Sequence, residues 1–169
     1  IEGVDISTLQ GSDTVASLVV CEDGRMRRGE YRKFRVRAPL GDGGSPPDRF
    51  LDDFASIRDV VLRRYKRLIE QGGPYPDLIM IDGGKAQLNA AASAMSELGL
   101  EAIPMVGIVK PPQRHNDVAY LSIKGRENEP VYLDSHSLIL RLMQMIRDET
   151  HRFAVTYHRK RRELRDFTS

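Results

Sequence analysis

The chain has 169 residues, 40% hydrophobic and 30% charged, with a formal net charge of +2. This profile suits one globular domain with a full core and argues against wholesale disorder. No apolar run approaches membrane-span length, no signal peptide is expected, and the lone Cys21 excludes an intrachain disulfide framework or a cysteine-cluster zinc site. A reducing, cytoplasmic setting without membrane contact is expected. Any nucleic-acid surface must come from where the charges sit, since their sum is small.

Ile1 enters a strand pattern directly, so the chain is expected to be a domain of something longer. Residues 1–7 (IEGVDIS) mix apolar and polar residues at strand spacing, with Asp5 near the end. Gln10 to Asp13 marks a turn, and residues 14–21 (TVASLVVC) form a strong β run. Asp23-Gly24 carries a hairpin signal, and residues 30–38 (EYRKFRVRA) alternate again. Three antiparallel strands in a meander are therefore expected.

Residues 39–50 begin with a Pro-, Gly- and Ser-rich run and are expected to form a flexible loop. A helix over 51–71 follows, with Phe54, Ile57, Val61, Tyr65 and Leu68 as its apolar stripe. Its other face carries Arg58, Arg63, Arg64, Lys66 and Arg67, which are read mainly as a solvated surface. Gly72-Gly73-Pro74 ends it.

The run Leu78-Ile79-Met80-Ile81 ends in Asp82-Gly83-Gly84-Lys85. Such a run reads as a strand buried on both faces, and its carboxyl end is where open α/β sheets place ligands. Taken alone, an aspartate there more often shapes the turn or caps the next helix. A helix with Leu88, Ala91, Met95 and Leu98 on one face follows, and then a buried strand over 103–109; strand, helix, strand at this spacing implies parallel pairing. Residues 118–123 and 131–133 are short strand candidates. Asp134 or Ser135 is expected to cap a last helix over 136–165, with Leu138, Leu142, Met145, Ile146 and Phe153 facing inward.

Asp5 and Asp82 each end a separate strand. If those strands are neighbours, two close carboxylates would share a cation or a proton. Hard oxygen ligands of this kind suit Mg²⁺ or Mn²⁺, and the chemistry such sites most often perform is phosphoryl transfer. On the last helix, His151 and His158 are two turns apart, about 10 Å along the axis and too far to bind one ion. An isolated helical histidine is more often solvated or packed than a ligand. Gly83-Gly84-Lys85 lacks the upstream glycine and the Ser/Thr of a phosphate loop, since Ile79 and Ala86 stand there. Lys85 at a helix start can still meet a phosphate or balance Asp82.

Three motifs occur in order: Asp5-Ile6-Ser7 with Gln10-Gly11 and Thr14-Val15-Ala16-Ser17; Leu78 to Lys85; and Arg147-Asp148-Glu149-Thr150-His151-Arg152-Phe153-Ala154-Val155 with Tyr157-His158-Arg159. Together they resemble the C-terminal endonuclease domain of the excinuclease UvrC, nearly from end to end. The resemblance implies an α/β, ribonuclease H-like mixed sheet, an antiparallel three-strand meander plus parallel strands, flanked by helices, in one domain over 1–169. It also implies metal-dependent incision of damaged double-stranded DNA on the 5′ side of a lesion, leaving a 5′-phosphate and a 3′-hydroxyl. The family's catalytic and metal-binding set falls on Asp5, Asp82 and His151. Lys85, Arg152, His158 and Arg159 are the expected DNA contacts.

One departure is Thr8, where the family usually has His; it touches a supporting position and leaves the triad complete. The resemblance does not extend to the family's N-terminal nuclease domain, to the segment that meets a UvrB-type partner, or to the helix-hairpin-helix pair, so weak activity alone is expected. The competing readings are another ribonuclease H-like repair nuclease, of the endonuclease V type, and a non-catalytic nucleic-acid-binding module of the same fold.

Overall fold

Strand alternation sorts the first residues onto two faces. Val4 turns one way, while Gly3 and Asp5 turn the other, and the neighbouring strand repeats the split with Leu18 opposite Val4 and Ser17 opposite Asp5. The structure, a computed structural model, describes residues 1–8, 14–36, 49–110 and 119–168, with side chains except at 8, 49–53 and 157–168. Strands β1 (Glu2–Thr8) and β2 (Thr14–Glu22) pair antiparallel. Asp23 and Gly24, with φ of 53° and 76°, make the tight turn into β3 (Arg25–Met26).

The third strand of the meander is divided. A 3₁₀ turn over Arg28–Glu30 diverts the backbone donors of Glu30 and Tyr31 to Arg27 and Arg28. Pairing with β2 resumes only at β4 (Arg32–Arg35), so the strand expected from Glu30 starts two residues later. The expected loop over 39–50 lies outside the described residues as far as 48, and helix α1 (Arg49–Gln71) already includes 49 and 50.

Then come β5 (Ile79–Asp82), α2 (Lys85–Glu97), β6 (Met105–Val109), β7 (Tyr120–Ile123), β8 (Val131–Tyr132) and α3 (Leu138–Thr168). Among the described residues eight strands form one sheet in the order β3-β2-β1-β5-β6-β7-β8, with β4 also beside β2. β5 runs parallel to both β1 and β6, as the strand–helix–strand spacing predicts. No helix among the described residues is long and apolar enough to cross a membrane.

Two apolar clusters cover the two faces. Val4, Leu18, Ile79 and Ile81 pack with Ile57, Val60, Val61 and Tyr65 of α1 and with Leu88, Ala91 and Met95 of α2. Val19, Met80, Ile108 and Leu121 pack with Leu140, Met143 and Ile146 of α3. The α1 stripe is thus as expected, with Val60 added. Lys66 and Arg67 are exposed as read, whereas Arg58 pairs with Glu97, Arg63 bonds Asp59 and the Arg35 carbonyl, and Arg64 pairs with Glu2.

The α3 face differs from the sequence reading. Leu138 is 78% exposed and Met145 39%, whereas Leu140, Met143, Ile146, Thr150 and Ala154 are buried. Leu142 and Phe153 pack from the flank and only Ile146 of the expected stripe is fully inside. Both sets recur at helical spacing, so periodicity alone did not choose between them; contact with the sheet did. The cap differs as well. Ser137 stands directly before the helix and its Oγ accepts from the Leu140 N–H, while Asp134 accepts from His136 in the preceding turn.

Candidate active site

Because β1 and β5 run parallel with Val4 beside Ile81, the next pair in register is Asp5 beside Asp82. Val4 and Ile81 face α1 and α2, so both carboxylates turn to the α3 face. Asp82 is the last residue of β5, and Gly83, at φ 152°, takes the chain away immediately. The space there is tight: a Cβ on Gly107 would lie 2.6 Å from the Gly83 carbonyl oxygen. The Gly84 N–H then bonds Gln87 Oε1 at 3.1 Å as α2 begins.

Helix α3 reaches these carboxylates because the sheet is bare beneath it. Gly3 lies on the same face as Asp5, and a Cβ there would come 2.6 Å from Ile146 Cγ2 and 3.4 Å from Thr150 Cγ2. With Ile146 and Thr150 seated on the strand, His151 arrives over its end. Its Nε2 contacts Asp82 Oδ2 and lies 3.6 Å from Asp5 Oδ2. One ligand atom from each of Asp5, Asp82 and His151 falls within 4.8 Å of the others. The side chains of Asp5 and Asp82 are 12% and 19% exposed and that of His151 53%, so the cluster opens outward past the imidazole.

The helix is fixed by a second polar contact. Glu149 accepts from the Tyr31 hydroxyl at 2.9 Å and from Arg152 at 2.9 and 2.5 Å. Hydrogen bonding from Arg152, the largest influence, holds the Glu149 carboxyl below its usual range. The Tyr31 ring meets Phe153 edge-on at 5.1 Å, and Lys33 lies 4.0 Å over that ring. The divided third strand therefore matters to the site, because Tyr31 is the residue that follows the 3₁₀ turn.

Burial pushes the Asp5 carboxyl up from 3.8 to about 7, and the Asp82 carboxylate adds to the rise. His151 and the Ile6 N–H oppose it without cancelling it. Two carboxylate oxygens and an imidazole nitrogen are a donor set that fits Mg²⁺ or Mn²⁺. A cation would also relieve the like-charge crowding that raises Asp5.

The other residues singled out by sequence lie elsewhere. Lys85 Nζ donates to Asn128 Oδ1 at 2.7 Å, so its charge is drawn to the turn after β7 and away from Asp82. Arg152 is spent on Glu149. His158 and Arg159 continue α3 beyond His151, and their side chains, like that of Thr8, lie outside the described residues. The sequence alone did not single out Gly3, Tyr31 or Glu149 for these contacts. Only Gly3 carried a usable signal, since a glycine inside a strand marks a bend or a close approach.

Three central parallel strands with an antiparallel meander on one side and helices on both faces make the ribonuclease H-like fold. An endonuclease V of Bacillus subtilis has the same fold, with a TM-score of 0.50 at 17% identity over 94% of this chain and 82% of that one. The profile of the UvrC RNase H endonuclease domain matches residues 1–155, and the chain belongs to that family. It is 49% identical to the UvrABC system protein C of Koribacter versatilis over 98% of its length, and 49% identical to that of Solibacter usitatus over its whole length. It spans about a quarter of the length of those two relatives, 25% in each case.

Proposed function

We propose that this endonuclease domain is a metal-dependent DNA nuclease that cuts a phosphodiester 5′ of a lesion during nucleotide excision repair. The observation that carries the reading is the convergence of Asp5, Asp82 and His151 from two strands and a helix. Asp5 and Asp82 would hold Mg²⁺ or Mn²⁺, with His151 as third ligand or as general acid/base. When bound, such an ion polarises the phosphate and activates water for in-line attack. Asp5 must then be ionised, which its raised pKa resists below neutrality. Lys85, Arg152, His158 and Arg159 are the proposed phosphate contacts. The first two would exchange Asn128 and Glu149 for DNA, which makes their contribution small.

Damaged duplex DNA is the proposed substrate, and the wider family's architecture suggests a UvrB-type partner in the cytoplasm, engaged through parts of the protein beyond this domain. The test is Mn²⁺-dependent nicking of lesion-bearing duplex by the wild type, Asp5→Asn and Asp82→Asn. Each substitution is expected to abolish Mn²⁺-dependent nicking while the domain stays folded. Normal nicking by either variant would sink the assignment, and preferential cutting of deaminated-base DNA would favour an endonuclease V-type activity instead.

A further inference from the structure

Ser17 lies in β2 directly opposite Asp5 in the ladder, on the face that α3 covers. It is fully buried, and its hydroxyl has no hydrogen-bond partner among the described residues. The residues alternating with it on that face, Val15 and Val19, are apolar and buried. An alanine would fill the place without the desolvation cost of an unsatisfied hydroxyl. Packing therefore gives no reason for a serine here.

The neighbouring strand does. Cross-strand partners have Cβ atoms about 5 Å apart, so a seryl hydroxyl and an aspartate carboxylate in this register are within reach of each other by side-chain rotation. On its other side Asp5 faces Asp82 and His151. A carboxylate that turns one oxygen toward a cation keeps lone pairs on the inner side, and the Ile6 N–H is the backbone donor acting on it. Ser122 is a useful contrast. Its hydroxyl is also buried without a partner among the described residues, but it stands opposite Gly107, which has no side chain to orient.

We propose that Ser17 is a positioning residue of the cation site, its hydroxyl turning, once the cation is bound, to donate to the inner side of the Asp5 carboxylate and so fixing the direction in which Asp5 presents its ligand oxygen. The proposal rests on the divalent-cation reading of Asp5, Asp82 and His151. Partners one step behind a metal ligand commonly change metal affinity by about 10–100-fold.

The two possible roles of Ser17 move opposite observables. For a positioning role, Ser17→Ala leaves the melting temperature of the metal-free protein unchanged or higher, because an orphaned hydroxyl is gone. Calorimetric Mn²⁺ affinity then falls by about 10–100-fold. Affinity within twofold of wild type overturns the role of Ser17 alone, whereas a wild type that takes up no Mn²⁺ removes the cation reading and this inference with it. If the metal-free alanine variant melts lower than wild type, Ser17→Cys decides, since a thiol has similar volume but is a weak donor. Reduced affinity in the cysteine variant supports the proposal, and wild-type affinity overturns it.

Discussion

Strand β1 carries two carboxylates with opposite fates. Glu2 begins the strand, is buried toward α1, and is met by Arg64 at 3.2 and 3.4 Å and by the Tyr65 hydroxyl at 3.1 Å. Asp5, three residues on, is almost as buried, yet it faces another carboxylate and an imidazole. At the Glu2 end the fold supplies the counter-charge itself, and α1 is pinned to the sheet as a result. At the Asp5 end His151 offsets the crowding only in part, and a bound cation is the proposed counter-charge. A buried carboxylate is therefore not a site by virtue of burial; the site is where the protein leaves it short of positive charge.

That contrast predicts substitutions of opposite sign. The largest effect belongs to Arg64→Ala, which strands Glu2 in the interior. Loss of one partner of a buried pair costs about 3–5 kcal/mol, which corresponds to a fall in Tm on the order of 10 °C in a chain of this size. The folded fraction should keep wild-type Mn²⁺ affinity, and a thermal melt with calorimetry checks both. Gly3→Ala comes next. Its Cβ would press on Ile146 and Thr150, at a cost of about 1–3 kcal/mol. Because these residues seat α3, His151 lifts away and Mn²⁺ affinity falls as well; a loss of stability with unchanged affinity would contradict the seating role.

Asp5→Asn changes stability in the opposite direction. A folded-state pKa of about 7 against 3.8 means that the protonated carboxyl favours the fold. Its contribution is complete below about 3.8 and is lost as pH rises toward 7. At pH 8 the metal-free Asn variant should therefore be more stable than wild type by up to about 4 kcal/mol, with the difference shrinking as pH falls toward 4. Denaturant titrations of the two proteins across that range measure it. Equal stability at both ends would mean that Asp5 is not strained by burial and by Asp82.

The residues that were legible in the sequence are those whose position along the chain decides their role. Asp82 had to lie at a strand end because an apolar run stops there at two glycines, and Asp5 was placed by the same reasoning on a second strand. Alternation and crossover length gave the meander and the parallel pairing of β5 with β6. Long side chains were another matter. Lys85 begins α2 as expected, but its ammonium travels to Asn128, 43 residues on, which no local pattern announces. Helix α3 offered two apolar stripes, and the choice fell to a contact made by Gly3, on the first strand. Glu149 was inside the matched motif, yet its role depends on Tyr31, 118 residues away.

The most direct measurement of the central claim is a crystal structure of the domain soaked in Mn²⁺, with anomalous scattering used to locate the ion. The expected result is a peak within the cluster of Asp5, Asp82 and His151. Saturating Mn²⁺ that leaves this position without a peak, with His151 still bridging both carboxylates, would contradict it.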